Sequence, residues 1–146
     1  DGLYIENSIE AQDCQIDTVQ AQQLKHNKIP IIIVVSGITG SSGEITASHF
    51  FGQKDVTVVG TKTVGLTSGN ELYYIDKGYS INLMTALLHD RKGKSYAIGE
   101  SIAPDVPIDV VYPDTIKTFN ERLDFIKAHK SVFINKALEL LKAKCI

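Results

Sequence analysis

The residues best suited to chemistry lie in one short stretch, Thr39-Gly40-Ser41-Ser42-Gly43-Glu44, which follows an apolar run and opens onto a helical pattern. Two hydroxyls, on Ser41 and Ser42, stand where the first N–H groups of a helix lack intrahelical acceptors, and such a position can hold an oxyanion. Gly37, Gly40 and Gly43 permit a sharp strand-to-helix bend of the kind that presents a nucleophile. The same residues admit a plainer reading. Ser41-x-x-Glu44 is also a capping box, in which the serine caps the helix and the glutamate caps back, with no chemistry implied. A phosphate cradle fits less well, because G-x-x-G-x-x-G is not G-x-G-x-x-G and no Gly-Lys-Ser/Thr follows it.

The elements that must position this loop read as follows. Ile31–Val35, entered through Pro30, is β-branched and apolar on both faces, which predicts a strand buried in a mostly parallel sheet. Residues 44–51 predict a helix and Val56–Gly60 a second buried strand, together a β-α-β unit with a right-handed crossover. Residues 71–75 and 79–85 flank Asp76-Lys77-Gly78 and predict a hairpin; a second turn at Asp90-Arg91-Lys92-Gly93-Lys94 leads on to Ile98. Pro104 and Pro107 mark an extended exit segment.

At the end, Ile116, Phe119, Leu123 and Ile126 follow the cap-type Asp114, and Ile134, Ala137, Leu138 and Leu141 follow Ser131. This spacing predicts two helices, or one kinked helix, packed on the sheet. Upstream, residues 3–6 suggest a short strand and residues 16–24 a helix within a polar, glutamine-rich segment.

The chain has 146 residues, one domain or part of one, divided on this reading into a peripheral segment (1–28), a core (29–111) and C-terminal helices (112–146). Its formal charge of −2 gives no general pull toward nucleic acid or anionic lipid. The longest unbroken apolar run, Ile31–Val35, falls far short of the roughly 20 residues of a membrane-spanning helix. Cys14 and Cys145 lack metal-like spacing and suggest neither a zinc site nor a redox pair. Asp1 is not preceded by any targeting pattern, so the chain reads as a fragment whose leader would lie outside it.

Three segments in order, from Pro30-Ile31-Ile32-Ile33-Val34-Val35 through Thr39-Gly40-Ser41-Ser42-Gly43-Glu44-Ile45, then Val58-Val59-Gly60-Thr61-Lys62-Thr63-Val64-Gly65, then Ile102-Ala103-Pro104-Asp105-Val106-Pro107-Ile108, resemble the C-terminal processing peptidases, or tail-specific proteases. Tyr79-Ser80-Ile81-Asn82-Leu83-Met84-Thr85 looks like that family's paired strands, and residues 135–141 resemble its closing helix. The resemblance implies an α/β fold of the crotonase-like type and peptide-bond hydrolysis by a serine, with no metal or organic cofactor. It places the nucleophile at Ser41, one oxyanion donor at the Ser42 N–H, and Ser42 as the second choice of nucleophile.

One position departs from the pattern. Typical members activate the serine with a lysine in the loop after the second strand, and the matching residue is Leu66, which cannot take a proton. Lys62 lies four residues earlier, at a position that is often basic without being catalytic. Thr67-Ser68-Gly69-Asn70 looks more like the subgroup of tricorn-like and nisin-resistance-type members, whose base is a histidine lying well upstream of the serine. None of His26, His49, His89 or His129 matches it, so the resemblance implies a base in the upstream half of the domain, outside this chain.

Asn70 reads either as a side-chain donor to substrate or as a turn residue after Gly69. The implied partner is an extended polypeptide, with neither nucleic acid nor a membrane segment. A relative that binds peptides without cleaving them, with Ser41 as a helix cap only, fits the same residues. So does a half-domain that is inactive until paired with its other half.

Overall fold

The computed structural model describes residues 5–7 and 29–144. The predicted helix at 16–24, His26 and both cysteines lie outside the described residues. Strand β2, Ile31–Val35, runs parallel to β3, Val56–Gly60, in register from Ile31 opposite Val56 to Val35 opposite Gly60. Helix α1, Ser42–Ser48, forms the crossover between them. The proline-bounded exit segment supplies β6, Val106–Pro107, parallel to β3 on its other side. Pro107 is tolerated there because β6 is an edge strand and can leave one side of its backbone unpaired.

A second, antiparallel sheet has the order β1-β5-β4, built from Ile5–Asn7, Tyr79–Leu88 and Ser68–Asp76. The β4–β5 turn falls where the sequence predicts it. Lys77 and Gly78 both take positive φ, 43° and 90°, as a two-residue hairpin turn matched to the strand twist requires. The turn after β5 is organised by Asp90, a buried carboxylate that accepts from the Lys92 and Lys94 N–H groups at 2.8 and 3.0 Å and from the Tyr96 hydroxyl at 3.0 Å.

Packing joins the two sheets through one helix end. Val35, Ala47 and Val58 form a core cluster with Ile33 and Phe51 against it, while Leu88, Tyr96 and Ile102 form a second with Ile45 and the same Phe51. Between β2 and β3 the backbones approach so closely that a Cβ on Gly60 (φ 141°) would sit 1.8 Å from the Val35 carbonyl oxygen. Only glycine fits there.

Three expectations need correction. The crossover helix ends at Ser48 rather than at residue 51, and Phe50 and Phe51 continue in turn hydrogen bonds to Ala47 and Ser48. β3 is buried from Val58 to Gly60, but Ile31 and Val34 of β2, a strand at the edge of the sheet among the described residues, are exposed. Of the two readings of the C-terminal pattern, two helices is the one corrected: it forms a single helix, α2, Phe119–Lys144, which packs against β2 and β3. Ser131 lies in its interior, and Asp114 precedes it. The actual cap is Thr118, whose hydroxyl accepts from the Glu121 N–H at 3.2 Å, while Glu121 Oε2 accepts from the Thr118 and Lys117 N–H groups at 2.8 and 2.9 Å. No helix among the described residues is long and apolar enough to cross a membrane.

The Thr118 and then the Lys117 N–H groups hold the Glu121 carboxyl below its ordinary value of 4.5. A carboxyl lowered in the folded chain stabilises fully above its unfolded value, and that contribution is lost as pH falls through the folded value. Amide exchange at the start of α2 should therefore quicken, relative to the rest of the helix, as pH drops below 4.5. Glu121→Gln should abolish that pH dependence in exchange measured by NMR.

Candidate active site

The loop after β2 folds on itself before reaching the helix. Thr39 N–H donates to the Ser36 carbonyl at 2.8 Å, and Ser36 N–H donates back to the Thr39 hydroxyl at 3.0 Å. The next bend is made by Ser41, with φ 51° and ψ −122°. Such a backbone in a non-glycine residue costs on the order of 1–3 kcal/mol and persists only where its surroundings over-determine it. From Ser41 the helix begins at once: the Glu44 and Ile45 N–H groups donate to the Ser41 carbonyl at 2.9 and 3.0 Å. Ser41 and Glu44 form a capping box, the Ser41 side chain facing the Glu44 N–H and the Glu44 carboxylate accepting the Ser41 N–H. Both Ser41 and Ser42 are exposed.

What over-determines the bend is Glu44, whose side chain is wholly buried. Its Oε2 accepts the Ser41 N–H at 2.9 Å and the Leu66 N–H at 2.8 Å. Its Oε1 accepts the Gly65 N–H at 2.8 Å and the Thr63 hydroxyl. Thr63 is itself held, its hydroxyl accepting the Ile102 N–H at 2.8 Å and its own N–H donating to the Ile102 carbonyl at 3.1 Å. A further backbone bond, Val64 N–H to the Thr39 carbonyl at 2.9 Å, closes the junction between the two loops. Every partner of this carboxylate is a donor, which suits an acceptor-only group and accounts for its burial without a cation.

Ser41 and Ser42 are thus adjacent at the mouth of the bend, and Leu66 is brought beside it, sharing one carboxylate oxygen with Ser41. The side chain of Leu66 is 57% exposed and offers no proton-accepting atom. Asn70 is not the turn residue of one reading: it lies exposed on β4, just past a bulge between Gly69 and Asn70, opposite Met84. His49 caps the end of α1, its Nδ1 2.6 Å from the Ile45 carbonyl. His129 is stacked on Phe125 in α2, and His89 lies against the Ser95 hydroxyl at the base of the second turn. A groove of about 420 Å³ opens between β2 and α1, with Val34, Thr39, Ser42, Gly43, Thr46 and Phe50 on its walls.

The sequence pattern does not show the reach of Glu44 beyond its own helix turn, nor the part played by Thr63. The S-x-x-E spacing announces the bond from Glu44 to the Ser41 N–H, but nothing local announces the donors from residues 63–66.

The α/β architecture is joined by a sequence match that gives the family: the chain belongs to peptidase family S41, a family of serine peptidases, matched over residues 4–108. It is 35% identical over 82 residues to the nisin-resistance protein of Lactococcus lactis subsp. lactis, covering 56% of this chain and 26% of that one. It is 28% identical over 94 residues to the carboxy-terminal-processing protease of Bartonella bacilliformis, covering 64% and 21%. The chain therefore spans about a quarter of the length of these relatives. In fold it is similar to a lipoprotein from Streptococcus agalactiae, with a TM-score of 0.61 at 23% identity over 88% of this chain and 45% of the other.

Two substitutions separate a strained residue from an ordinary cap. Ser41→Gly should raise unfolding stability by about 1 kcal/mol, the relief of the positive-φ strain less the entropy of glycine; a serine acting as a cap would instead lose a few tenths. Glu44→Gln, nearly equal in volume, faces an amide NH₂ toward a buried N–H or O–H donor and should cost about 1–3 kcal/mol. Urea unfolding reads both.

Proposed function

We propose that this chain carries the nucleophile half of a serine peptidase and that Ser41 is the nucleophile. The observation that carries the reading is the Ser41 backbone: a non-glycine residue held at φ 51° on a strand-to-helix bend and exposed at its mouth. Membership of a serine peptidase family supports it. In this reading Ser41 Oγ attacks the carbonyl carbon of a peptide bond and gives its proton to a base. The carbonyl electron pair moves to oxygen, where the Ser42 N–H, at the first helical position, donates to it. Removing such a donor elsewhere costs roughly 3–4 kcal/mol. Collapse breaks the C–N bond, the amine leaves with the proton from the base, and water repeats the attack on the acyl-serine.

Leu66 cannot be that base; the resemblance to nisin-resistance-type members implies a histidine from an upstream segment in that role. The substrate is an extended polypeptide that adds a strand to the open edge of β4, where Asn70 offers a side-chain amide. The names of the nisin-resistance and carboxy-terminal-processing relatives are in keeping with a polypeptide substrate.

Leu66 also favours a second reading, a relative that binds peptides without cleaving them. A fluorophosphonate probe, applied to the chain alone and together with its upstream half, separates the two. The peptidase reading expects an adduct on Ser41 by peptide mapping, absent in Ser41→Ala and dependent on the upstream half. Folded protein with no adduct in either sample would sink it in favour of the binding reading, and an adduct on Ser42 would move the nucleophile by one residue.

A further inference from the structure

We propose that Tyr112 is a positioning residue for the Ser41 bend, acting through Gly37; the inference rests on the nucleophile reading of Ser41. Tyr112 lies in the segment between β6 and α2, 75 residues from Gly37 in sequence, and its phenolic oxygen accepts the Gly37 N–H at 2.9 Å. The same N–H is shared with the Thr61 hydroxyl at 3.2 Å, and the two hydroxyls lie 3.5 Å apart. The start of the β2–α1 loop is therefore tied at one point to the residue after β3 and to the approach to α2. The ring of Tyr112 is backed by Phe125, with centroids 5.1 Å apart, and Phe125 by His129 at 4.1 Å.

Gly37 explains itself by the same contact. Its φ is not among the positive ones, so glycine is not needed for backbone freedom. A Cβ there would lie 2.7 Å from the Tyr112 Oη and 2.8 Å from its Cζ. Glycine is needed so that the tyrosine can reach the backbone. Ser41 is consequently fixed from both sides: Glu44 holds its N–H and the helical side of the bend, and Tyr112 holds the strand side four residues earlier. A nucleophile needs its oxygen placed to within a fraction of an ångström, and both anchors bear on that placement.

Tyr112→Phe removes the phenolic oxygen and keeps the ring stack. Amide exchange at Gly37 should quicken about tenfold while α1 and β3 keep their protection, which corresponds to the loss of one hydrogen bond. Fluorophosphonate labelling of Ser41, measured with the upstream half present, should show a maximal rate about tenfold lower with the probe's half-saturating concentration unchanged. Gly37→Ala should lose labelling, and Gly37→Ala with Tyr112→Ala should recover part of it, because the atoms that the new methyl meets are gone. The proposal is overturned by unchanged exchange at Gly37, by loss of protection spread evenly through β3 and α2, by labelling of Tyr112→Phe within twofold of the parent, or by no recovery in the double variant. If the parent protein itself takes no label, the nucleophile reading fails and the positioning role fails with it; unaltered exchange in Tyr112→Phe alongside normal parental labelling isolates failure of the Tyr112 contact alone.

Discussion

The structure turns on one buried carboxylate. Among the described residues Glu44 has no cation in its hydrogen-bond set and is satisfied by donors from two loops, the Ser41 bend on one side and Thr63, Gly65 and Leu66 on the other. A buried carboxylate without these bonds would be costly, and the N–H groups without the carboxylate would be costly too, so each loop is stable in this shape only in the presence of the other. The arrangement also ties the loops to the second core, since Thr63 is bonded in turn to Ile102, which is fully buried. Strain at Ser41 is therefore maintained by a network that runs into the second hydrophobic cluster.

This dependence explains why the site is shaped by elements far from it. β2 and β3 lie close enough to exclude a side chain at Gly60, and Thr61, directly after it, both donates its N–H to the Val35 carbonyl and offers its hydroxyl to Gly37. The end of β3 is thus bonded to the end of β2 and to the loop that follows it. Phe51, shared by the two core clusters, keeps α1 registered against both sheets. Displacing any of these would shift the start of α1, and with it the orientation of the Ser42 N–H.

Much of the fold was legible because it is written in local pattern. The β-branched runs at 31–35 and 56–60 are short and apolar as buried strands are, and Asp76-Lys77-Gly78 supplies a glycine at the second of the two positive-φ positions of the turn, with Lys77 taking the first. The errors came from signals of equal local strength but no tertiary support. Ser131 is a good cap in isolation, yet an exposed serine in a helix interior costs only a fraction of a kcal/mol, and packing of the whole helix against β2 and β3 overrides it. Thr118-x-x-Glu121 is the same kind of box as Ser41-x-x-Glu44, and it starts the helix four residues after the cap-type Asp114. For the site, the serine and its glutamate could be read from spacing, whereas the bonds spanning 19 to 22 residues from Glu44 to the next loop, and the 75 residues between Gly37 and Tyr112, leave no periodic trace.

The β4–β5 hairpin stands apart from this network. Beyond the short overlap with β1 at residues 86–88, its two strands are bonded only to each other among the described residues, and Leu72, Tyr74, Ile75, Tyr79 and Leu83 are exposed along it. A two-stranded ribbon without a buried face is marginal on its own. In this chain by itself the tip is therefore expected to open at lower free energy than the core, from the Lys77-Gly78 end, while Thr67, Leu88 and the Glu44 junction stay intact. A packed seat for Ser41 thus stands beside a ribbon that begins two residues after Leu66 and needs a further surface to cover its apolar side chains.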